Sequence, residues 1–220
     1  MNALILGSNS DIAKGLIQFL EEDGWAVQGW HRQSPTLRYY QTWHLLLIAL
    51  GRVAPVGLWH DQEHIDWKEC IESNLVKPME LLQEVWSKRG KNPSVCFMAG
   101  SNPQKPMSGY SAYNAGKMAL LKLCEQLDFE TPDCKFFALA PGYVPTKIHR
   151  ATIDSGWKNE RIERGGGTSI DKIYDCLKWC IDQPKEVVGG RNICVTDNYG
   201  DLLADKLKLN SALFKLRRQE

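Results

Sequence analysis

Short apolar runs alternate with longer stretches of helical periodicity along the whole chain, and this alternation limits the fold more than any other feature. Residues 3–6, 25–30, 45–50, 95–99, 135–140 and 193–196 each have the length and apolar character of a buried strand. Between them, Ile12, Leu16, Phe19 and Leu20 make one stripe ahead of a stop at Gly24. Residues 65–86, 111–127 and 170–181 repeat the helical spacing. Strands that alternate with helices predict an α/β fold on a parallel sheet. One interval is too short for the full pattern. Only twelve residues separate Arg32 from Leu45, which leaves no room for a helix, a strand and a second crossover. The third strand is therefore expected to be missing or vestigial, giving a sheet of about six strands.

The 220 residues suit one domain spanning 1–220, with 201–220 as a C-terminal extension. That extension carries Leu202, Leu203, Leu207, Leu209, Leu213, Phe214 and Leu216 and ends on basic residues. It reads either as an amphipathic helix on a neighbouring subunit or as a loose basic tail. A net charge of +1 gives no field to attract nucleic acid or a membrane surface, so neither is expected as a partner. The longest apolar run is too short to span a bilayer. Seven cysteines, without C-x-x-C pairs or a leader-like start, lead us to expect reduced thiols and a cytoplasmic protein. The five histidines show no ligand spacing, and no metal is expected.

The densest chemistry lies in Tyr113-Asn114-Ala115-Gly116-Lys117, twelve residues after Ser101. Four residues apart on a helix, Tyr113 and Lys117 share a face, and the ammonium is expected to hold down the phenol pKa. Such a tyrosine is a general acid for a developing alkoxide. Ser101 follows the 95–99 strand, at the sheet edge where α/β folds bind ligands. Tyr110 competes with Tyr113 but has no lysine four residues on. Within the 65–86 helix, Pro78 supplies no N–H to the Asn74 carbonyl, which is then free for a water or a polar group. Ser108 and Ser111, nearer Tyr113 in sequence, read better as caps of its helix, and plainer readings exist for the other parts: a kinked surface helix at Asn74 and a chance Tyr/Lys pair.

Three further segments suit a dinucleotide. Gly7-Ser8-Asn9-Ser10-Asp11-Ile12 is the turn from first strand to first helix, where backbone N–H groups can meet a phosphate. Asp11 and Ala13 stand where more glycines are expected, and Ser10 or Asp11 also suits a simple N-cap. The economical placement of the Asp11 carboxylate is back onto its own helix. After the second strand, His31 and Arg32 replace the acidic residue that would bond the ribose of NAD, which favours the 2′-phosphate of NADP. A solvated Arg32 is the plainer alternative. Pro141-Gly142-Tyr143-Val144-Pro145-Thr146 follows another strand and can hold the nicotinamide end, or be merely a loop.

These parts in this order resemble the short-chain dehydrogenase/reductase family, in its smaller single-domain form, from the first strand to about Thr196. The resemblance implies a Rossmann-like, doubly wound parallel sheet that binds NADP, preferably, or NAD. It implies hydride exchange with a small-molecule carbonyl or alcohol, Tyr113 being the acid/base. Lys117 would tune Tyr113 and bind the nicotinamide ribose, Ser101 would polarise the carbonyl, and Asn74 would hold a relay water. Thr146 would contact the carboxamide or a phosphate. Gly7, Ser8, Asn9, Ser10, Ile12, His31, Arg32, Gly51, Pro141, Gly142 and Val144 complete the expected cofactor set. Family members are usually dimers or tetramers, so a homodimer or homotetramer is expected. The chain departs from the family at Asp11 and Ala13, and at Ile48-Ala49-Leu50-Gly51, where the family has Asn-Asn-Ala-Gly. These departures keep open a second reading, a non-enzymatic dinucleotide-binding protein on the same fold acting as a redox sensor or assembly partner. A sugar epimerase or dehydratase of the longer type is disfavoured by the few residues after Thr146.

Overall fold

A computed structural model describes residues 1–34, 36–37, 40–100, 105–201 and 212–216. Its strands are β1 (Asn2–Leu6), β2 (Ala26–Trp30), β3 (Trp43–Ile48), β4 (Arg89–Met98), β5 (Lys135–Ala140) and β6 (Asn192–Cys194). They form one six-stranded sheet in the order β2-β1-β3-β4-β5-β6, and every pairing is parallel. Among the described residues no strand lies between β2 and β3. β3 pairs directly with the far side of β1, so the shortened interval is a plain crossover, as its length requires. The strand boundaries shift from the apolar runs. β3 begins at Trp43, and β4 begins at Arg89, which pairs with Trp43 across a register irregularity.

The helices are α1 (Asp11–Glu22), α2 (His64–Ile71), α3 (Lys77–Val85), α4 (Ser111–Glu130), α5 (Arg150–Asp154), α6 (Glu160–Arg164), α7 (Ile170–Asp182) and α8 (Lys185–Val188). Side-chain alternation along the strands divides the core into two layers. Ile5, Leu45, Leu47, Phe137 and Leu139 pack on α1 and α7, through Leu16, Leu20, Ile173 and Leu177. Leu4, Leu6, Leu46, Ile48, Phe97 and Phe136 pack on α3 and α4, through Leu81, Leu82, Leu120 and Leu121. Burial on both faces is why these strands read as continuous apolar runs. The expected single helix at 65–86 is divided by one π-helical turn, Glu72–Val76, just ahead of Pro78. The wider turn accommodates the proline, which has no N–H to offer.

The seven cysteines are free and buried. No helix among the described residues is long and apolar enough to cross a membrane. The end of the C-terminal extension returns to its own sheet. The Asn192 N–H donates to the Phe214 carbonyl at 3.0 Å, and Arg191 donates to the Leu213 carbonyl. Leu213 and Phe214 pack on one core layer and Leu216 on the other. Residues 212–216 are thus held by the β6 edge of the same chain; the other residues of the proposed amphipathic stretch lie outside the described residues.

Candidate active site

Strand order reverses between β1 and β3, and in parallel α/β sheets a crevice opens at the carboxyl ends of the strands at such a point. A cleft of about 500 Å³ lies there. Its walls come from the turn into α1, the loop after β3, the end of β4, the first turns of α4 and the loop after β5. Of the expected residues, Ser10, Ile12, Gly51, Tyr113, Lys117, Pro141, Gly142, Val144 and Thr146 line it. Gly7, Ser8, Asn9, His31 and Arg32 do not. Ser101 lies outside the described residues; its neighbour Gly100 lines the cleft, where a Cβ would come within 3.3 Å of the Tyr113 hydroxyl.

Lys117 is 3% exposed. Its ammonium donates to the Met98 carbonyl at 2.9 Å and the Leu50 carbonyl at 3.2 Å, tying α4 to the ends of β3 and β4. It stands over the Tyr113 ring, 6.0 Å from its centroid. Burial is the largest influence on both groups and disfavours each charged form. It pushes Lys117 down to about 8 and Tyr113 up to about 12. The expectation that the ammonium lowers the phenol pKa is therefore overturned in this state. The lysine charge is spent on two carbonyls, while the phenol, part of whose ring still faces the cleft, is desolvated.

Asn74 sits in the π-helical turn, fully buried. Its side-chain amide donates to the carbonyls of Arg52 (2.7 Å) and Cys70 (2.8 Å), and its Oδ1 is buried without a partner. Two glycines make this approach possible. A Cβ on Gly116 would stand 2.9 Å from the Asn74 Cβ, and one on Gly51 would stand 3.2 Å from Asn74 Oδ1 and 3.4 Å from Lys117 Nζ. Asn74 and Lys117 thus meet behind the cleft wall, and an orphaned acceptor there calls for a donor such as water.

The phosphate end differs from expectation. The Gly7 and Ser8 N–H groups both donate to the Trp30 carbonyl, at 2.8 and 3.0 Å, and so hold β2 instead of facing a ligand. Ser10 is the N-cap of α1, accepting the Ala13 N–H at 3.1 Å. Asp11 does not turn back onto the helix as expected. Its carboxylate accepts the Lys147 N–H at 2.8 Å and pairs with the Lys147 ammonium at 3.1 Å. These bonds hold the carboxyl below its usual range, the backbone bond first. The Lys147 ammonium also donates to the Asn9 carbonyl. With Ser10 already capping, the acid is free to meet the nearest cation, which the β5 loop supplies. His31 Nδ1 accepts the Gln33 N–H at 3.2 Å and closes its own turn. Arg32 is exposed, with no ion pair among the described residues.

Several contacts around the cleft join residues far apart in sequence. Lys147 lies 136 positions from its partner Asp11. Tyr110 is buried, donates to Thr152 at 3.0 Å, accepts from Asn159 at 2.9 Å, and so fastens α5 and α6 over the cleft. Trp157 Nε1 donates to the Ser108 carbonyl at 3.0 Å on the same seam. His149 packs on Tyr143 with ring centroids 5.0 Å apart, and burial lowers its pKa. No local pattern marks these contacts, because each partner comes from a separate segment.

One end of the cleft thus holds Tyr113 and Lys117, while the Asp11–Lys147 pair stands at the other. Comparison with known proteins adds a family. Residues 40–155 match the model for short chain dehydrogenase. An acetoacetyl-CoA reductase from Paracoccus denitrificans is 30% identical over 122 residues, 53% of this chain and 50% of that protein. The short chain dehydrogenase adrF of Penicillium roqueforti is 24% identical over 142 residues, 56% of each chain. The matches thus span about half the length of these curated relatives. Among solved structures, a small-chain dehydrogenase in complex with NADPH has a TM-score of 0.78 at 18% identity, over 93% of this chain and 99% of that one. The ligand-free aldohexose dehydrogenase of Thermoplasma acidophilum has a TM-score of 0.75 at 13% identity, over 100% and 97%. At these identities the structures show a shared fold.

Proposed function

The chain belongs to the short-chain dehydrogenase family, and from that premise we propose that it is an NAD(P)-dependent reductase of a small-molecule carbonyl, acting also in reverse. The observation that carries this is the Tyr113–Lys117 pair at the strand switch point, backed by Asn74 with its unpartnered oxygen. A purely binding module has no use for a buried lysine beside a tyrosine. The name of the Paracoccus denitrificans relative supports the reductive direction.

When bound, the nicotinamide supplies the hydride. The chain does the rest. Tyr113, with a pKa pushed up to about 12, is fully protonated at neutral pH and is a proton donor to the alkoxide. Lys117, brought down to about 8, exchanges a proton near neutral pH and hydrogen-bonds the ribose. Asn74 Oδ1 holds a water that refills the proton behind Lys117. Ser101 orients the carbonyl oxygen. Gly51, Pro141, Gly142, Val144 and Thr146 shape the nicotinamide wall, and Ser10 and Ile12 the pyrophosphate side. Gly7, Ser8 and Asn9 serve by holding that turn. Arg32, exposed at the end of β2 with no acidic neighbour beside it, favours NADP over NAD. α2 and α4 pack together, and the exposed apolar residues Ile65 on α2 and Phe129 on α4 suit a homodimer or homotetramer built on these helices.

A fluorescence titration with NADPH and NADH tests the reading. NADPH binding that exceeds NADH binding, and narrows in Arg32→Ala, supports it. Equal binding removes the Arg32 argument alone. No binding of either removes the enzyme.

A further inference from the structure

A second cavity, of about 920 Å³, opens beyond the β5 loop. It shares the Gly142–Tyr143 wall, Lys105 and Arg161 with the catalytic cleft. Its lining is sorted by charge. α6 reads Glu-Arg-Ile-Glu-Arg, and residues three apart on a helix share a face. Arg161 and Arg164 line the cavity, while Glu160 and Glu163 line neither cavity. Lys105 and Lys172 add two more cations from separate segments. None of the four forms an ion pair among the described residues. Asp171, next to Lys172, is instead taken up by Ser169 and backbone N–H groups. Asp197 is the one carboxylate of the described wall, and burial raises its pKa. Four cations from three segments, without an ion pair among the described residues, line one concave space that Glu160 and Glu163 do not line, a setting that attracts an anion. The two guanidinium groups can bind a phosphate through paired N–H donors.

We propose that this cavity is a phosphate-binding site, which seats the phosphate ester group of a small molecule on Arg161, Arg164, Lys105 and Lys172. Because it adjoins the cleft across Gly142 and Tyr143, a phosphorylated compound anchored here extends toward Tyr113.

The probe is inorganic phosphate, titrated calorimetrically into the full chain at low ionic strength. The proposal expects saturable binding that weakens at least about tenfold in Arg164→Ala/Lys172→Ala, the scale of two lost charge-assisted bonds. The exchange Arg164→Lys/Lys172→Arg keeps both charges but displaces one guanidinium fork, and is expected to bind phosphate more weakly than wild type and more tightly than the double alanine. A control, Lys68→Ala/Lys77→Ala, removes the same charge from α2 and α3 and is expected to leave phosphate binding unchanged. Absence of saturable binding overturns the proposal, as does equal loss in the control, which would report net charge alone. An NADPH titration on the same samples separates this inference from the oxidoreductase reading. If wild type binds phosphate but not NADPH, the site stands and the reductase falls. If Arg164→Ala/Lys172→Ala loses NADPH as well as phosphate, the cations serve the dinucleotide and the separate site falls.

Discussion

Burial moves Tyr113 and Lys117 in opposite directions, and both shifts have measurable consequences. Tyr113→Phe keeps the ring and removes the proton donor, so kcat is expected to fall about 10²–10⁴-fold with NADPH affinity unchanged. Steady-state kinetics beside the fluorescence titration checks this. Lys117 has a folded pKa of about 8 against roughly 10.4 in an unfolded chain. Between those values the unfolded state holds the extra proton, so the lysine's contribution to stability rises with pH across that window. Below it, the buried charge costs about 3 kcal/mol, an upper figure since two carbonyls solvate the ammonium. Lys117→Met is expected to exceed wild type in stability at pH 7 and to lose that advantage toward pH 10. Urea unfolding of both proteins gives the difference. Buried thiols such as Cys96 and Cys124, whose raised pKa values act oppositely at high pH, are common to both and cancel, whereas Cys70, which feels the Lys117 charge, adds to the difference.

Among the elements, the α1 turn and the α5–α6 segment decide how the cleft is closed. The Asp11 carboxylate at the α1 N-terminus places a negative charge where a dinucleotide phosphate would approach. Asp11→Asn keeps the contact with the Lys147 N–H and frees the ammonium. NADPH affinity is expected to rise roughly threefold to tenfold, the effect of about 1 kcal/mol of screened charge, and the gain to shrink with added salt. α5 and α6 hang on the Tyr110 hydroxyl. Tyr110→Phe strands the buried Thr152 hydroxyl and the Asn159 amide, at a cost of about 1–3 kcal/mol. Limited proteolysis is expected to cut near residues 150–164 faster in the variant than in wild type. An unchanged cleavage rate would show that other contacts hold the segment.

For the whole molecule, the six parallel strands bring four loop ends together, and the returning residues 212–216 close the β6 side. Phe214 packs on the core and lines the second cavity. Phe214→Ala is expected to cost about 1–2 kcal/mol of stability, as for a partly buried aromatic, read as a lower denaturant midpoint at unchanged m. The α/β class, the order of elements, a crossover with no strand among the described residues between β2 and β3, and the placement of Tyr113 and Lys117 on one helix were legible in the chain, because they rest on periodicity, segment length and i,i+4 spacing. Asn74 was legible only in part: the proline four residues on points to its main-chain carbonyl, whereas the buried, unpartnered atom is its side-chain Oδ1. The direction of the Tyr113 shift was not, for desolvation depends on what surrounds a side chain and not on its sequence neighbours. Nor was the use of the Gly7 and Ser8 N–H groups by the Trp30 carbonyl, which follows from how β2 docks on β1. Asp11 found Lys147, and Tyr110 found Asn159, across separations that only packing closes. Local pattern determines which elements form and which residues share a face. The tertiary structure alone decides which charges are dry, which donors are spent and which groups meet, because those are properties of distance in space.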